Sequence, residues 1–116
     1  MRPKIYVAHV YGCSDKLSQD ARGENVKDCL ENFARPLILL GYNPFVPLLY
    51  HYIHIGWYDS PNEQEYFHMV SDWIKDCSKF LMAKNAENSG VNREIETAKN
   101  FGVHIYYRLS DVPDLR

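Results

Sequence analysis

Two hydrophobic periods alternate along the chain, and that alternation restricts the fold more than any other feature of the sequence. Ile5-Tyr6-Val7-Ala8-His9-Val10 is a short run of β-branched and aromatic residues, the pattern of a buried strand. Gly12 to Gly23 is polar and predicts a loop. From Glu24 the spacing turns helical, with Val26, Cys29, Leu30, Phe33, Ala34 and Leu37 recurring at three and four. Pro36 should kink that helix, because its ring clashes with the carbonyl four residues back, and Gly41 should stop it. Tyr42 to Pro47 predicts a second strand, which Pro44 and Pro47 confine to an edge. Leu48 to Pro61 is aromatic and irregular. A second helix follows, striped by Tyr66, Met69, Val70, Trp73, Ile74 and Cys77. Lys79 to Ala83 predicts a third strand. A third helix runs from about Gly90 to Asn100 and is ended by Gly102. Val103 to Tyr107 is a fourth strand, followed by a polar tail. The order β-α-β-α-β-α-β predicts an α/β chain with a small parallel sheet of four to five strands, covered on both faces.

With 116 residues, the chain has length for a single domain spanning 1–116. A net charge of −2 argues against nonspecific binding to nucleic acid or to an anionic membrane. No apolar run approaches the roughly 20 residues of a membrane span. Met-Arg-Pro-Lys leads straight into a strand, so no signal peptide is expected. Cys13, Cys29 and Cys77 form no Cys-x-x-Cys pair, which predicts free thiols and a cytoplasmic setting. Neither a metal nor a cofactor is expected.

In parallel sheets, ligands bind at the carboxyl ends of the strands. Three segments should meet there: His9 to Gly12, Pro47 to His51, and Asn85 to Gly90. The third helix adds an unusual residue. At about 100° per residue, Val91, Ile95, Ala98 and Gly102 share one face, and Glu94 falls inside that stripe. A first-turn Glu complements the helix dipole, but it would do so equally well from the solvent face. Carboxylates on inward faces are rare unless paired or functional. Asn88-Ser89-Gly90 precedes the helix; free backbone N–H groups there can receive an anion, although Ser and Asn are also ordinary caps.

Ile5-Tyr6-Val7-Ala8, Glu24-Asn25-Val26, Gly41-Tyr42-Asn43-Pro44-Phe45-Val46-Pro47, Ser89-Gly90-Val91-Asn92-Arg93-Glu94-Ile95-Glu96-Thr97-Ala98 and Gly102-Val103 together resemble the nucleoside 2-deoxyribosyltransferase superfamily, most closely its small uncharacterised branches. The likeness runs from about Lys4 to Tyr107, and Gly-Val-x-x-Glu-Ile-x-x-Ala is its most specific part. It implies a flavodoxin/Rossmann-like three-layer sandwich and a homodimer or higher homo-oligomer, with sites completed by a neighbouring subunit. It implies that Glu94 is the nucleophile of an enzyme acting on the N-glycosidic bond of a small-molecule nucleoside or nucleotide, by transfer or by hydrolysis. Together with the strand-end argument, it makes His9, Tyr11, Gly12, Pro47, His51, Asn88, Ser89 and Gly90 the candidate substrate-binding residues. A helix N-terminus beside Glu94 should help keep its carboxylate ionised.

Two positions depart from the family pattern. Transferases carry an Asp, and nucleotide N-hydrolases a Ser, six residues before the nucleophile, where this chain has Asn88. Relatives also place an Asp on the second helix that helps handle the base, where this chain has Val70. Asp72 and Asp76 fall nearby on the outer side. Loss of an acid near the leaving group typically removes a factor of about 10²–10⁴. These departures support an alternative in a different class, a non-catalytic binder of a nucleotide or nucleotide-derived signal. His51, His54 and His68 lack the partners of a metal set. Tyr50, Tyr52, Trp57 and Tyr58 suit either a base-stacking wall or a subunit contact.

Overall fold

A computed structural model describes residues 1–11, 19–60, 62–86 and 90–116. Four parallel strands, β1 (Lys4–His9), β2 (Asn43–Phe45), β3 (Lys79–Lys84) and β4 (His104–Tyr106), pair in the order β2-β1-β3-β4. The two longest strands are central, and β2 with its proline lies on an edge, where a missing N–H costs no ladder bond. This order is that of the flavodoxin-like doubly wound sheet.

Helices cover both faces. On one face, α1 (Gln19–Cys29) and α2 (Arg35–Leu39) bury Val26, Cys29 and Leu37 against Ile5, Val7 and Leu81. On the other, α4 (Glu63–Asp76) and α5 (Val91–Asn100) bury Val70, Ile74, Val91, Ile95 and Ala98 against Tyr6, Ala8 and Phe80. β1 therefore divides its side chains strictly by parity, as a pleated strand must. A short α3 (His51–His54) follows a 3₁₀ turn, Pro47–Tyr50. It occupies the aromatic stretch that the sequence left irregular.

Four local features differ from the sequence expectation. The first helix begins at Gln19, so Gly23 lies inside it rather than in a loop. Pro36 is accommodated by a π turn, Leu30–Ala34, in which the Arg35 N–H reaches back to the Leu30 carbonyl. The wider turn sits just ahead of the ring, where an ordinary turn would meet the clash and lack a donor. On α4, Met69 and Trp73 of the apolar stripe remain exposed, and Trp73 stacks on Phe45 of the edge strand at 4.3 Å. The tail is not merely polar. Val112 is buried in the α1 core, the Pro113 carbonyl accepts from Tyr42 Oη at 2.9 Å, and Leu115 N–H donates to the Leu40 carbonyl at 2.9 Å.

Gly41 and Gly102 end their helices as expected, at φ +103° and +71°. After Gly41, Tyr42 N–H reaches the Leu37 carbonyl; after Gly102, Val103 N–H reaches that of Ala98. These six-residue closures satisfy the helix-end carbonyls and need a left-handed residue. Cys29 and Cys77 are buried free thiols, pushed by burial up to about 12 and about 11. Among the described residues, no helix is long and apolar enough to cross a membrane.

Candidate functional site

Tyr6 projects from the middle of β1 towards α4 and α5. Phe80 stacks on its ring at 5.3 Å and Phe45 lies against it at 5.8 Å, which fixes the phenol direction. The hydroxyl donates to Glu94 Oε2 at 2.5 Å. Glu94 stands in the first turn of α5, half-buried between buried Val91, Ile95 and Ala98, as the helical periodicity predicted. Burial pushes its carboxyl up to about 7, and the Tyr6 bond acts in the opposite direction. Loss of solvation thus works against the helix end, expected from the sequence to help keep this group ionised. Tyr6 is held far above its ordinary value by burial first and by the Glu94 charge second. The phenol therefore keeps its proton and serves as a fixed donor. Glu94 Oε1 has no hydrogen-bond partner among the described residues. It lies 4.0 Å from where a Cβ on Gly90 would stand. One oxygen is held and the other has no partner among the described residues, an arrangement suited to attack on an electrophilic carbon.

A second polar group gathers where β1 ends. The Tyr11 hydroxyl lies 2.5 Å from His51 Nδ1 and 2.6 Å from His54 Nε2. A phenol has one proton, so it donates to one ring and accepts from an N–H of the other. The backbone is tied in place by Asn25 Nδ2, which donates to the Tyr11 carbonyl at 2.8 Å. Burial and the nearby Arg22 charge lower both histidines, with His51 also acting on His54, and burial raises Tyr11. The guanidinium lies over the Tyr11 ring, 5.5 Å from its centre. His54 meets Tyr66 edge-on at 5.6 Å, and Tyr66 lies 6.0 Å from Tyr50. Tyr50 in turn packs against the core cluster that contains Tyr6. Aromatic rings thus run from this group to the core cluster around Tyr6.

The other sequence candidates are distributed more widely. His9 turns to the α1 face, where it is buried. Its Nδ1 faces the Val10 carbonyl and its Nε2 faces Asp28 Oδ2, each at 2.6 Å. The sheet register slips beside it, Ala8 opposing Met82 but His9 opposing Lys84. Such a bulge re-aims the strand end. Pro47 is buried as the first residue of the 3₁₀ turn. Gly90 is the cap of α5, with no side-chain cap bond. Gly12, Asn88 and Ser89 lie outside the described residues. Val70 is buried in the α4 core, and Asp72 and Asp76 are exposed, so neither of those two carboxylates joins the Glu94 site.

Sequence reasoning missed Tyr6, Arg22, His54 and Tyr66 as site residues. The three-residue spacing of His51 and His54 was the available signal, because it places both rings on one side once the segment is helical. Among the described residues, no group of three or more His, Cys, Asp or Glu side chains is placed to hold a metal ion. Outside the polar groups, a groove of about 190 Å³ follows the edge strand, lined by Pro44, Phe45, Val46, Leu49, Tyr50 and Ile53.

No protein-family model matches the chain, and no curated protein matches it. Its chemistry must therefore be argued from the residues themselves.

Proposed function

We propose that this protein acts on the N-glycosidic bond of a small nucleoside or nucleotide, with Glu94 as nucleophile. The observation that bears most weight is the Tyr6–Glu94 pair: a carboxyl with one oxygen held by a phenol, the other without a partner among the described residues, and a proton affinity raised by burial to about 7. Groups with strongly shifted pKa at a strand-to-helix junction are candidates for chemistry. The similarity of the Gly90 to Ala98 stretch to the deoxyribosyltransferase superfamily supports the same residue.

In this reading, Glu94 Oε1 attacks the anomeric carbon. The C1′–N bond breaks, and its electron pair leaves with the base, which takes a proton from water. An ester between Glu94 and the sugar results. Water then attacks the same carbon in a hydrolase, giving the free sugar, a proton and the regenerated carboxylate. A second base does so in a transferase. The Tyr6 hydroxyl keeps Oε2 oriented throughout and favours the ionised form. No acid is provided by Val70, so departure of the base depends on its own basicity.

That same position favours a second reading, a binder that holds a nucleotide or nucleotide-derived signal without turnover. The test is a panel of deoxynucleosides and 5′-monophosphates, with released base followed by chromatography. Base release by wild type, absent in Glu94→Ala, is the expected result. Equal release by both proteins overturns the nucleophile. A thermal shift with the ligand recovered intact would instead favour the binder.

A further inference from the structure

Arg22 is the half-buried cation of the second polar group, and its Nε is sealed from solvent with no hydrogen-bond partner. Among the described residues, it is the one buried side-chain nitrogen or oxygen left unsatisfied. Buried donors are normally paired, and an orphan calls for an acceptor that belongs there. No ion pair among the described residues engages Arg22, His51 or His54. Among the described residues, the rings in contact with the group are Tyr11, just past β1, Tyr52 on α3 and Tyr66 on α4. The group is thus a guanidinium and two imidazoles around a hydroxyl, with a positive charge and no ion-pair partner among the described residues. The positive field is felt within the group, since the guanidinium lowers both histidines.

We propose that Arg22, His51, His54 and Tyr11 form an oxyanion pocket that takes the phosphate of a nucleoside monophosphate. A guanidinium presents a planar fork of donors that matches phosphate oxygens two at a time. A tetrahedral phosphate has further oxygens for an imidazole N–H and for the phenol. Its negative charge reverses the effect of Arg22 on the two rings, so each can add a proton and donate. The line His54–Tyr66–Tyr50 leads from this pocket towards Glu94, the direction a sugar and base would extend. The choice of a phosphate ester rests on the N-glycosidic reading of Glu94, whereas the anion pocket itself does not.

The test is titration calorimetry on the whole chain with inorganic phosphate, a nucleoside 5′-monophosphate and the parent nucleoside. Wild type is expected to bind phosphate alone, and to bind the monophosphate at least about tenfold tighter than the nucleoside. Arg22→Gln should abolish phosphate binding and bring monophosphate and nucleoside within twofold of each other. Arg108→Gln, at an exposed site paired with Asp111, should change neither. A check that needs no variant is the histidine ring spectrum. Phosphate should shift the resonances of His51 and His54 and leave exposed His104 in place. Equal affinity for monophosphate and nucleoside in wild type overturns the proposal, as does phosphate binding that survives in Arg22→Gln. Phosphate binding that depends on Arg22, with no nucleoside or nucleotide recognised, upholds the pocket and removes the N-glycosidic reading. Glu94-dependent base release with no phosphate binding does the reverse.

Discussion

β1 sends Tyr6 to one face of the sheet and His9 to the other, and each meets a carboxylate on a flanking helix. Beyond that symmetry the two pairs differ. The His9 ring nitrogens face a backbone carbonyl and the Asp28 carboxylate, both of which only accept. The ring is thus clamped between two acceptors at the buried end of the strand. The bond from His9 and a second from Asn32 hold the Asp28 carboxyl below the usual range. Tyr6 brings a proton but no charge, and the desolvated Glu94 rises to about 7. A carboxylate held by two side-chain hydrogen bonds and open to solvent becomes a fixed structural charge. One given only a phenol remains able to take or release a proton near neutral pH, which is the property a reacting group needs.

The largest effect should separate the two carboxylates by function. Glu94→Gln is expected to lower base release by at least about 10³, as removal of a nucleophile does. Asp28→Asn should retain it within a few-fold. Initial rates on the substrate that wild type turns over best check both. Loss of activity in both variants to the same degree breaks the comparison.

Stability should separate them in the opposite sense. Asp28→Ala leaves the buried His9 ring without its partner and is expected to cost about 2–3 kcal/mol, read from urea denaturation at pH 7. Because the Asp28 carboxyl is lowered by folding, its contribution is present above its unfolded value of 3.8 and is lost as pH falls through the still lower folded one. The gap between wild type and Asp28→Ala should therefore close in acid.

Glu94 has the other sign. Its folded value lies above the unfolded 4.5, so what it contributes is fully present below about 4.5 and is lost as pH rises through about 7. Wild type should lose about 2 kcal/mol relative to Glu94→Gln between pH 4.5 and pH 8, after allowance for solvent at a half-buried group. Parallel stability curves for the two proteins would show that the carboxyl is not desolvated.

How much of this was legible in the sequence depends on the range over which each feature is determined. β1 and α5 could be read because burial imprints a period on consecutive residues, and Glu94 stood out only against that period. Gly41 and Gly102 marked helix ends because a left-handed turn demands them. The start of α1 could not be read, since Gln19 to Gly23 has no apolar stripe and includes a glycine. α3 spans four residues, too few to display a helical period. The Tyr11–His51–His54 group joins residues about 40 apart through the packing of a strand end on a short helix. No local pattern encodes such a contact. Val112, one of three apolar residues scattered through a mostly polar tail, gave no sign that it completes the α1 core.

The smallest effect sharpens the role of the phenol. Tyr6→Phe removes the one bond that lowers the Glu94 carboxyl, so its midpoint should move above about 7. Activity at pH 7 should fall by roughly tenfold, a single charge-assisted bond's worth, and recover partly at higher pH. A pH–rate profile with an unmoved rising limb would mean that Tyr6 only packs.

The most direct test of the central claim is mass spectrometry of the intact protein after reaction with 2-deoxy-2-fluoro nucleosides. The fluorine slows formation and breakdown of an oxocarbenium-like centre, so a sugar ester accumulates. The account predicts the mass of one fluorosugar added to the chain, mapped by digestion to the peptide containing Glu94 and absent from Glu94→Gln. Release of base with no adduct, or an adduct that persists in Glu94→Gln, would contradict it.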